Sequence, residues 1–335
     1  MKEKTAQQKT DLIPKKAALI NDLSGYGRCS LAVSIPIVSA LGIQTCPLPT
    51  AILSNHTGYP SEYAYDFTEH IQPYGRAWKR LKLKFDGIFT GYMNSSGQID
   101  AVSDFIDRFR SRHTLVFADP AMGDGGAFYR GLNEAFAEEM KEKILRKADL
   151  IKPNLTEACM LTGNAYEELQ EVLQNGTQKR FEKTCRELAE QLAALGPEQV
   201  VITGIERGER LVNVIFDRGA LSFDSGKRSG RSRAGTGDIF SAVMGAMVLR
   251  GMKLPQAVHK AATFLSYGIA LTDRAGLPPN DGVLFEPLLP KLTGVKAFEA
   301  SMEETVRVRQ KQRKTAETDE KLRSLGTGYD SKKEK

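Results

Sequence analysis

Short apolar, β-rich runs alternate with longer segments of helical period along most of the chain. This alternation is typical of βαβ units, in which helices connect parallel strands and cover the sheet. The predicted strands are 17–21, 50–54, 87–90, 115–119, 150–153, 200–204, 211–216 and 220–223. The predicted helices are 30–41, 62–81, 98–112, 133–147, 156–162, 179–195, 236–250 and 255–272. We therefore expect an α/β fold with a central, mostly parallel sheet flanked by helices on both faces.

The domain organisation follows from the same pattern. The last three predicted strands are joined by short turns, so this edge of the sheet is expected to be antiparallel. No internal repeat or long linker divides the middle, and 17–295 is predicted to be one domain. Residues 1–16 are expected to be a flexible segment, and 164–180 to be peripheral. The charged tail 296–335 is interpreted as a solvated helix that frays into disorder.

Composition excludes several classes of protein. Of the 335 residues, 41% are hydrophobic and 26% are charged, which is ordinary for a soluble protein with a sizeable core. No apolar run is long enough to span a membrane, and the start lacks the apolar stretch of a signal peptide. The four cysteines lack CxxC spacing, which favours reduced thiols in a cytoplasm and no zinc site. The net charge of +6 lies largely at the two ends and in 226–233, without the aromatic interleaving of a nucleic-acid interface.

Polar segments follow the predicted strands at their carboxyl ends. They read NDLSGYG, SNHTGYP, TGYMN, DPAMGDGG, KPNLTE and TGIE. In an open parallel sheet, ligands bind beyond the carboxyl ends of the strands, so these segments are expected to share one rim. Together they would form a cleft lined with hydrogen-bond donors and carboxylates.

The segment GTGD, residues 235–238, opens the predicted helix 236–250. Its glycines let backbone N–H groups approach an anion, and the helix turns its positive end toward the same place. Asp238 could accept a proton from a substrate hydroxyl, which is the role of a base in phosphoryl transfer. The alternative is that Thr236 or Asp238 only caps the helix.

Two further segments carry candidate ligands for a phosphate-bound metal. DPAMGDGG places Asp119 and Asp124 after one strand, and paired carboxylates with phosphate oxygens are typical of Mg²⁺ sites. Its alternative is an Asx-rich turn. KPNLTE places Asn154 and Glu157 three residues apart at a helix start, where they could equally form a plain helix cap.

The sequence resembles the ribokinase-like kinases of vitamins and, within them, the pyridoxal/pyridoxamine kinases. The motifs that carry the resemblance are SNHTGYP (54–60), FTGYM (89–93), DPAMGDGGAFY (119–129), DLIKPNLTEACMLTG (149–163), VITG (201–204), GTGDIFSAVMGA (235–246) and DGVLFEPLL (281–289). Their order and spacing match the family over 17–290. The resemblance implies ATP-dependent phosphorylation of the hydroxymethyl group of a B6 vitamer to the 5'-phosphate, by a cytoplasmic homodimer that uses Mg²⁺ and a monovalent cation such as K⁺.

The resemblance also implies roles for individual residues. Asp238 would be the catalytic base, and Gly235, Thr236 and Gly237 would form the anion hole for the γ-phosphate. The residues expected to bind the vitamin are Asp22, Ser24, His56, Thr57 and Tyr92. Those expected on the ATP side are Asp119, Asp124, Tyr129, Asn154, Glu157 and Thr203. Among these, the expected metal ligands are Asp119, Asp124 and Glu157.

The sequence departs from the family pattern at two places. Asp22 stands where many pyridoxal kinases have serine, which leaves the preferred vitamer open. Arg228, Arg231 and Arg233 precede GTGD, where the family has small or apolar residues. These arginines could contact ATP phosphates through their guanidinium groups, or they could form an exposed basic loop.

Three alternative functions were weighed. Hydroxymethylpyrimidine kinase shares the fold, but that family commonly has cysteine in place of Asp238 and lacks HTGY. A dinucleotide-binding oxidoreductase would fit the glycines of 25–30, but the third glycine and the acid after the second strand are missing. A nucleotide-binding protein without activity would not need Asp238.

Of the aromatic residues, Trp78 is expected to pack in the core with Tyr74 and Leu81.

Overall fold

The structure, a computed structural model, describes residues 13–60, 63–228, 230 and 233–293. The strands in these residues are β1 (Lys16–Ser24), β2 (Gln44–Leu53), β3 (Ala64–Asp66), β4 (Gly87–Thr90), β5 (Leu115–Ala118), β6 (Gly123–Asp124), β7 (Ala127–Phe128), β8 (Leu150–Ile151), β9 (Gln199–Arg207), β10 (Arg210–Asp217) and β11 (Ala220–Lys227). The α-helices of the same residues are α1 (Ser30–Ala40), α2 (Thr68–Arg80), α3 (Ser96–Phe109), α4 (Glu134–Lys143), α5 (Leu155–Thr162), α6 (Tyr166–Asn175), α7 (Gln178–Ala193), α8 (Thr236–Leu249), α9 (Leu254–Arg274) and α10 (Leu289–Thr293).

A single large sheet organises the fold. Its strand order is β11-β10-β9-β8-β5-β4-β1-β2-β3. The six strands from β9 to β2 in this order pair in parallel, whereas β10 and β11 pair antiparallel at one edge. The α/β class, the mostly parallel sheet and the antiparallel late edge are therefore confirmed.

The second helix begins later than the helical pattern predicted. Residues Ala64–Asp66 form the short strand β3, which pairs antiparallel with the end of β2. The Asp66 carboxylate then accepts a hydrogen bond from the Thr68 amide at 2.8 Å, at the point where α2 begins. The predicted helix 62–81 is wrong over 64–67, because strand pairing and this side-chain hydrogen bond replace helical hydrogen bonds there. Residue 62 lies outside the described residues.

Like β3, helix α6 and the strands β6 and β7 were not predicted. Helix α6 occupies most of 164–180, where Leu173 is buried and its carbonyl accepts a hydrogen bond from Arg207 at 2.8 Å. The segment DPAMGDGGAF folds into the antiparallel hairpin of β6 and β7. The hairpin strands have two residues each and carry no periodicity, so they depend on their pairing with each other. Helix α6 is amphipathic, and its helical period could have been recognised in the sequence.

The sheet is covered on both faces. On one face Phe89 and Phe117 pack edge to face, with ring centroids 5.5 Å apart. Helix α8 lies close on this face, since an added Cβ at Gly245 would be 2.8 Å from the Phe117 ring. On the other face the rings of Trp78 and Tyr74 pack with centroids 4.9 Å apart, as predicted, whereas the predicted packing of Leu81 is wrong because that side chain is exposed. The close packing of α8 brings its first turn to the carboxyl ends of the strands.

Several sequence predictions concern residues that the structure does not describe. The tail 296–335 and residues 1–12 of the N-terminal segment lie outside the described residues, and the proposed domain boundaries stay predictions. The short helix α10 belongs to a compact unit separate from the rest of the fold. In the described part of the chain, no helix combines the length and apolar character needed to cross a membrane. All four cysteines are free thiols.

Candidate active site

The start of α8 is shaped by a glycine that no other residue could replace without a backbone shift. Gly235 has a left-handed φ of +73°, and an added Cβ would lie 1.8 Å from the carbonyl oxygen of Arg28. The Thr236 hydroxyl donates to the carbonyl of Arg233 at 3.2 Å, which closes the turn before the helix. The amides of 235–237 therefore stand at the positive end of α8, as an anion-binding site requires.

Asp238 lies in the first turn of α8 and is half-buried. The side-chain amide of Asn21, on β1, donates to Asp238 Oδ1 at 3.4 Å. Loss of hydration, assisted by the negative charges of Asp22 and Asp119, raises the pKa of Asp238 to about 7, although a backbone hydrogen bond from Ser30 opposes the rise. A carboxyl group with this pKa can both accept and release a proton near neutral pH, which suits a general base.

A buried lysine at the end of strand β8 lies close to Asp119 and to the start of α8. Lys152 follows β8, and its Nζ lies 3.1 Å from Asp119 Oδ2. The same Asp119 oxygen accepts a hydrogen bond from the Ser241 hydroxyl at 2.7 Å. Burial acts to lower the pKa of Lys152, but the charges of Asp119 and Glu157 outweigh it and raise the pKa, so the ammonium stays charged. An added Cβ at Gly237 would be 3.9 Å from Lys152 Nζ, which places this charge beside the predicted anion hole.

Asn154 and Glu157 form a capping box at the start of α5. The Asn154 side chain accepts from the Glu157 amide, and the Glu157 carboxylate accepts from the Asn154 amide, both at 2.8 Å. The other Glu157 oxygen accepts from the Met122 amide at 3.2 Å. The cap interpretation of KPNLTE is therefore confirmed. Glu157 is 2% exposed, and burial together with the charge of Asp119 raises its pKa.

The other residues predicted on the ATP side lie around the hairpin of β6 and β7. Asp124 is exposed, and its carboxylate accepts from the following amide of Gly125 at 2.9 Å. Desolvation and the charges of Glu157 and Asp124 raise the pKa of the exposed Tyr129 phenol, which places that ring among the carboxylates. Thr203 is half-buried in the middle of β9, bridged to Asn154. Within the described residues, no three or more His, Cys, Asp or Glu side chains cluster in a way that could hold a metal ion.

The predicted vitamin-binding residues on β1 lie next to Asp238. Asp22 is 5% exposed, and the Ser24 hydroxyl donates to Asp22 Oδ2 at 3.2 Å. Burial raises the pKa of Asp22, while hydrogen bonds from Ser30 and Ser24 partly offset the rise. The amide of Tyr92, in the exit of β4, donates to Asn21 Oδ1 at 3.0 Å. The structure thus brings Asp22, Ser24 and Tyr92 to the strand ends that also hold Asp238.

His56 organises the SNHTGYP loop. Its Nδ1 accepts from the Gly58 amide at 3.0 Å, so its Nε2 donates to the carbonyl of Asn280 at 2.7 Å. The Asn280 side chain returns a hydrogen bond to the Gly58 carbonyl at 2.6 Å. Thr57, between these contacts, is exposed. His56 therefore fixes the loop shape through both ring nitrogens, while Thr57 faces solvent beside it.

The arginines before GTGD differ from one another. Arg228 is exposed and pairs with Glu206 at 2.8 Å. Arg233 is 7% exposed, so the interpretation of an exposed basic loop is wrong for this residue. Its guanidinium is held by Asp273 and by backbone carbonyls, which leaves it no direct route to ATP phosphates. Arg231 lies outside the described residues.

Three residues of the site were missed from sequence. Asn21, Lys152 and Ser241 all contact Asp238 or Asp119. Lys152 had a usable signal, because a lysine directly after a buried strand lies at the rim where ligands bind. Ser241 stands three residues after Asp238 on one helix face, so helical spacing could have identified it. Asn21 had the same signal, since it opens the segment NDLSGYG at the end of a predicted strand, but its contact with Asp238 joins positions 217 residues apart and could not be predicted.

Comparison with known proteins places the chain in a family. The family model described as phosphomethylpyrimidine kinase matches residues 81–282, which is more than half of the chain. The chain belongs to this kinase family. Its fold is that of the ribokinase-like superfamily, as the resemblance of the motifs predicted. The matched residues include the hairpin, Lys152, the capping box and GTGD, so the family covers most of the site described above.

Individual relatives agree with this placement. The pyridoxal kinase PdxY of Leifsonia xyli is 26% identical, with 78% of this chain and 90% of the relative aligned. A crystal structure from Bacteroides thetaiotaomicron, assigned as a phosphomethylpyrimidine kinase, is 37% identical with a TM-score of 0.77 over 83% of this chain and 94% of that one. A second crystal form described as containing pyridoxal is 36% identical, with a TM-score of 0.75 over 84% and 96% of the two chains. Pyridoxal kinase from Lactobacillus plantarum is 26% identical, with the same TM-score over 84% and 98%.

Proposed function

We propose that the protein transfers the γ-phosphoryl group of ATP to the hydroxymethyl oxygen of a B6 vitamer: pyridoxal, pyridoxamine or pyridoxine. The observation that carries the proposal is the convergence of Asp238, the amides of 235–237 and the buried Lys152 at one point of the sheet edge. The curated relatives named pyridoxal kinase, and the crystal form of a relative that contains pyridoxal, support the choice of acceptor.

The chemistry divides among these residues. Asp238 takes the proton of the acceptor hydroxyl as the oxygen attacks phosphorus, and the pKa near 7 keeps it partly ionised at neutral pH. The amides at the start of α8 and the Lys152 ammonium stabilise the negative charge on the phosphoryl oxygens. Asn21 holds the Asp238 carboxylate in place, and Asp119 holds Lys152.

The donor set fits Mg²⁺ bound mainly through phosphates. Asp119 and Asp124 supply carboxylates, which together with phosphate oxygens and water satisfy the usual Mg²⁺ coordination. Glu157 fits less well as a direct ligand, because both its oxygens accept backbone N–H groups. The bound ion would neutralise phosphate charge, while Glu157 keeps the start of α5 and the residues after β5 in position.

The acceptor side would recognise a ring with polar substituents. Asp22 and Ser24 lie at the exit of β1, and Tyr92 at that of β4, beside the exposed Thr57. A carboxyl at position 22 can hold a protonated ring nitrogen or an exocyclic amine, and so influences the choice among vitamers. We also propose a cytoplasmic homodimer, which rests on the family resemblance.

Hydroxymethylpyrimidine kinase is the second candidate. It is favoured by the name of the matching family model and by the carboxyl of Asp22, which could pair with an aminopyrimidine. In this chain either acceptor would be served by Asp238 and the same anion hole, although the pyrimidine kinases commonly have cysteine in place of Asp238. For this chain, the two candidate functions differ only in the acceptor.

An acceptor screen tests the proposal. ADP release would be measured with pyridoxal, pyridoxamine, pyridoxine and hydroxymethylpyrimidine, and each product would be identified by mass. We expect at least one B6 vitamer to have the highest kcat/KM. A preference for the pyrimidine would favour the second candidate, and the absence of any phosphorylated product from all four alcohols would contradict both.

A further inference from the structure

A cage of oxygen atoms stands directly before the predicted anion hole. The Arg233 guanidinium donates from Nη1 to the carbonyls of Leu277 at 2.9 Å and Pro278 at 3.2 Å. From Nη2 it donates to Asp273 Oδ1 at 2.6 Å. Backbone carbonyls and a carboxylate are oxygen ligands of the kind that hard cations take in proteins. In this protein the Arg233 guanidinium, which is part of the chain, is the cation that these oxygen atoms contact.

The buried position of this charge is not explained by stability alone. The Arg233 side chain is 4% exposed, and its Nε has no hydrogen-bond partner among the described residues. Burying a charge with an unsatisfied donor is costly, and a buried ion pair is often no more stabilising than apolar residues of similar size. The cost is consistent with a role other than stability.

The cage is joined to the catalytic turn through backbone atoms. The Thr236 hydroxyl donates to the carbonyl of Arg233, and the amide of Ala234 donates to the carbonyl of Pro279 at 3.3 Å. Gly235 follows directly, pressed against the carbonyl of Arg28. The Arg233 guanidinium therefore holds 273–279 close to residue 233, and in this way it positions the amides that would bind the phosphoryl group.

We propose that Arg233 is a tethered replacement for a monovalent cation beside the anion hole, so that this kinase does not need K⁺ for turnover. The proposal rests on the proposed function and departs from the K⁺ requirement that the family resemblance implied. Arg233 is a positioning residue in this scheme, since it acts through the turn that carries the amides and does not touch the reacting atoms.

Cation dependence of the wild-type enzyme is the first test. Turnover would be measured with saturating Mg-ATP and vitamin, with choline as the only other cation, and then with added K⁺, Na⁺ or NH₄⁺. We expect kcat to change by less than about twofold, because the cage is already filled. Activity that rises about tenfold or more with K⁺ overturns the proposal, whereas absence of activity under every cation contradicts the kinase assignment itself.

Chemical rescue is the second test. Arg233→Ala is expected to lower kcat about tenfold, less than the loss of a direct oxyanion donor, with little change in the KM of the vitamin. Added guanidinium ion or K⁺ should restore most of this loss, because either can re-enter the emptied cage. Arg218→Ala is the matched control, since Arg218 is exposed and pairs with Glu198 away from the site, and it should show neither loss nor rescue.

A purely structural arginine would give a different result. In that case, Arg233→Ala would lose thermal stability and activity together, and neither guanidinium nor K⁺ would restore kcat, which would overturn the proposal. If Arg233→Ala does not fold, Arg233→Lys keeps a cation in the cage and takes its place. That variant should remain active without K⁺, and a K⁺ requirement for it would count against the proposal.

Discussion

At the scale of single residues, the site depends on charges that are held away from water. Asp238→Asn removes the base and keeps the shape of the side chain. We expect kcat to fall by about 10²–10⁴, the range for loss of a positioned base, while ATP binding is largely kept. Turnover assays and calorimetric titration with a non-hydrolysable ATP analogue measure the two quantities. A kcat within a few-fold of the wild type would contradict the assigned role.

The raised pKa of Asp238 predicts how activity and stability change with pH. Activity requires the ionised form, so kcat/KM should fall as pH drops below about 7. Stability has the opposite dependence, because the folded state binds the Asp238 proton more tightly than the unfolded state does. The stabilisation that comes from this bound proton is present at low pH and is lost as pH rises through about 7. Asp238→Asn should therefore be more stable than wild type at pH 8, by about 1–3 kcal/mol, with a smaller gap at pH 5. Urea unfolding at the two pH values measures the gap, and an equal difference at both would contradict the pKa.

Lys152 neutralises two buried carboxylates, and its loss should be costly. Lys152→Met leaves Asp119 and Glu157 without a cation, and we expect the free energy of unfolding to fall by about 3–5 kcal/mol at neutral pH. Lys183→Met is the control, because Lys183 is exposed and pairs with Glu187 at 3.6 Å. That control should change stability by no more than about 0.5 kcal/mol. Equal effects of the two substitutions would show that Lys152 is not the counter-ion of the site.

At the scale of elements, the turn before α8 depends on contact as well as on dihedral angles. Gly235 and Gly163 both have a φ of +73°, but an added Cβ meets Arg28 at 1.8 Å in the first case and nothing within 4 Å in the second. Gly163→Ala should cost only the left-handed strain, about 1–2 kcal/mol. Gly235→Ala should be less stable than Gly163→Ala and should lose kcat by about a hundredfold or more, since the anion hole must move. Urea unfolding and turnover assays separate the two effects, and similar results for both variants would contradict a steric requirement at Gly235.

The sequence predicted these elements unequally. Strand β4 and the start of α8 fall where the pattern placed them, because each has a strong apolar run bounded by glycine or polar residues. Strand β3 and the hairpin of β6 and β7 were missed, since two or three residues carry no periodicity and depend on distant partners. The residues of the candidate site show the same difference between local signals and long-range contacts. Asp238 was found through its local motif, whereas Asn21 required knowledge of a contact between distant segments.

At the scale of the whole molecule, one segment connects the two sides of the cleft. In residues 277–281, the Leu277 carbonyl accepts a hydrogen bond from Arg233, which precedes GTGD. Asn280 and Asp281 of the same segment form hydrogen bonds with the SNHTGYP loop. Asn280→Ala removes the bond to the Gly58 carbonyl, and we expect the KM of the vitamin to rise about 5–10-fold with little change in kcat. Asn175→Ala, which removes an exposed bond to Glu171, serves as the control. A fall in kcat with an unchanged KM would indicate that the segment serves the nucleotide side instead.

The order of the strands places the predicted acceptor residues and the predicted ATP residues in different halves of the sheet. The predicted acceptor residues lie at the end of β1 and after β2 and β4, and the predicted ATP residues lie after β5 and β8 and within β9. Order along the chain could not give this arrangement by itself, because β1 pairs with both β2 and β4 and so lies between them in the sheet. The edge strand β3 could not be predicted either, since it has three residues and is defined by its pairing with the end of β2.

Asp238 and the amides of 235–237 lie on consecutive residues at the start of a single helix. Because these residues are covalently adjacent, a movement of α8 displaces the proposed base and the proposed anion-binding amides together. Mutations that loosen the packing of α8 would shift both groups relative to the two substrates but would leave the spacing between the groups unchanged. Sequence variation in the surrounding core can therefore change the alignment of the proposed base with the substrates without changing its spacing from the proposed anion hole.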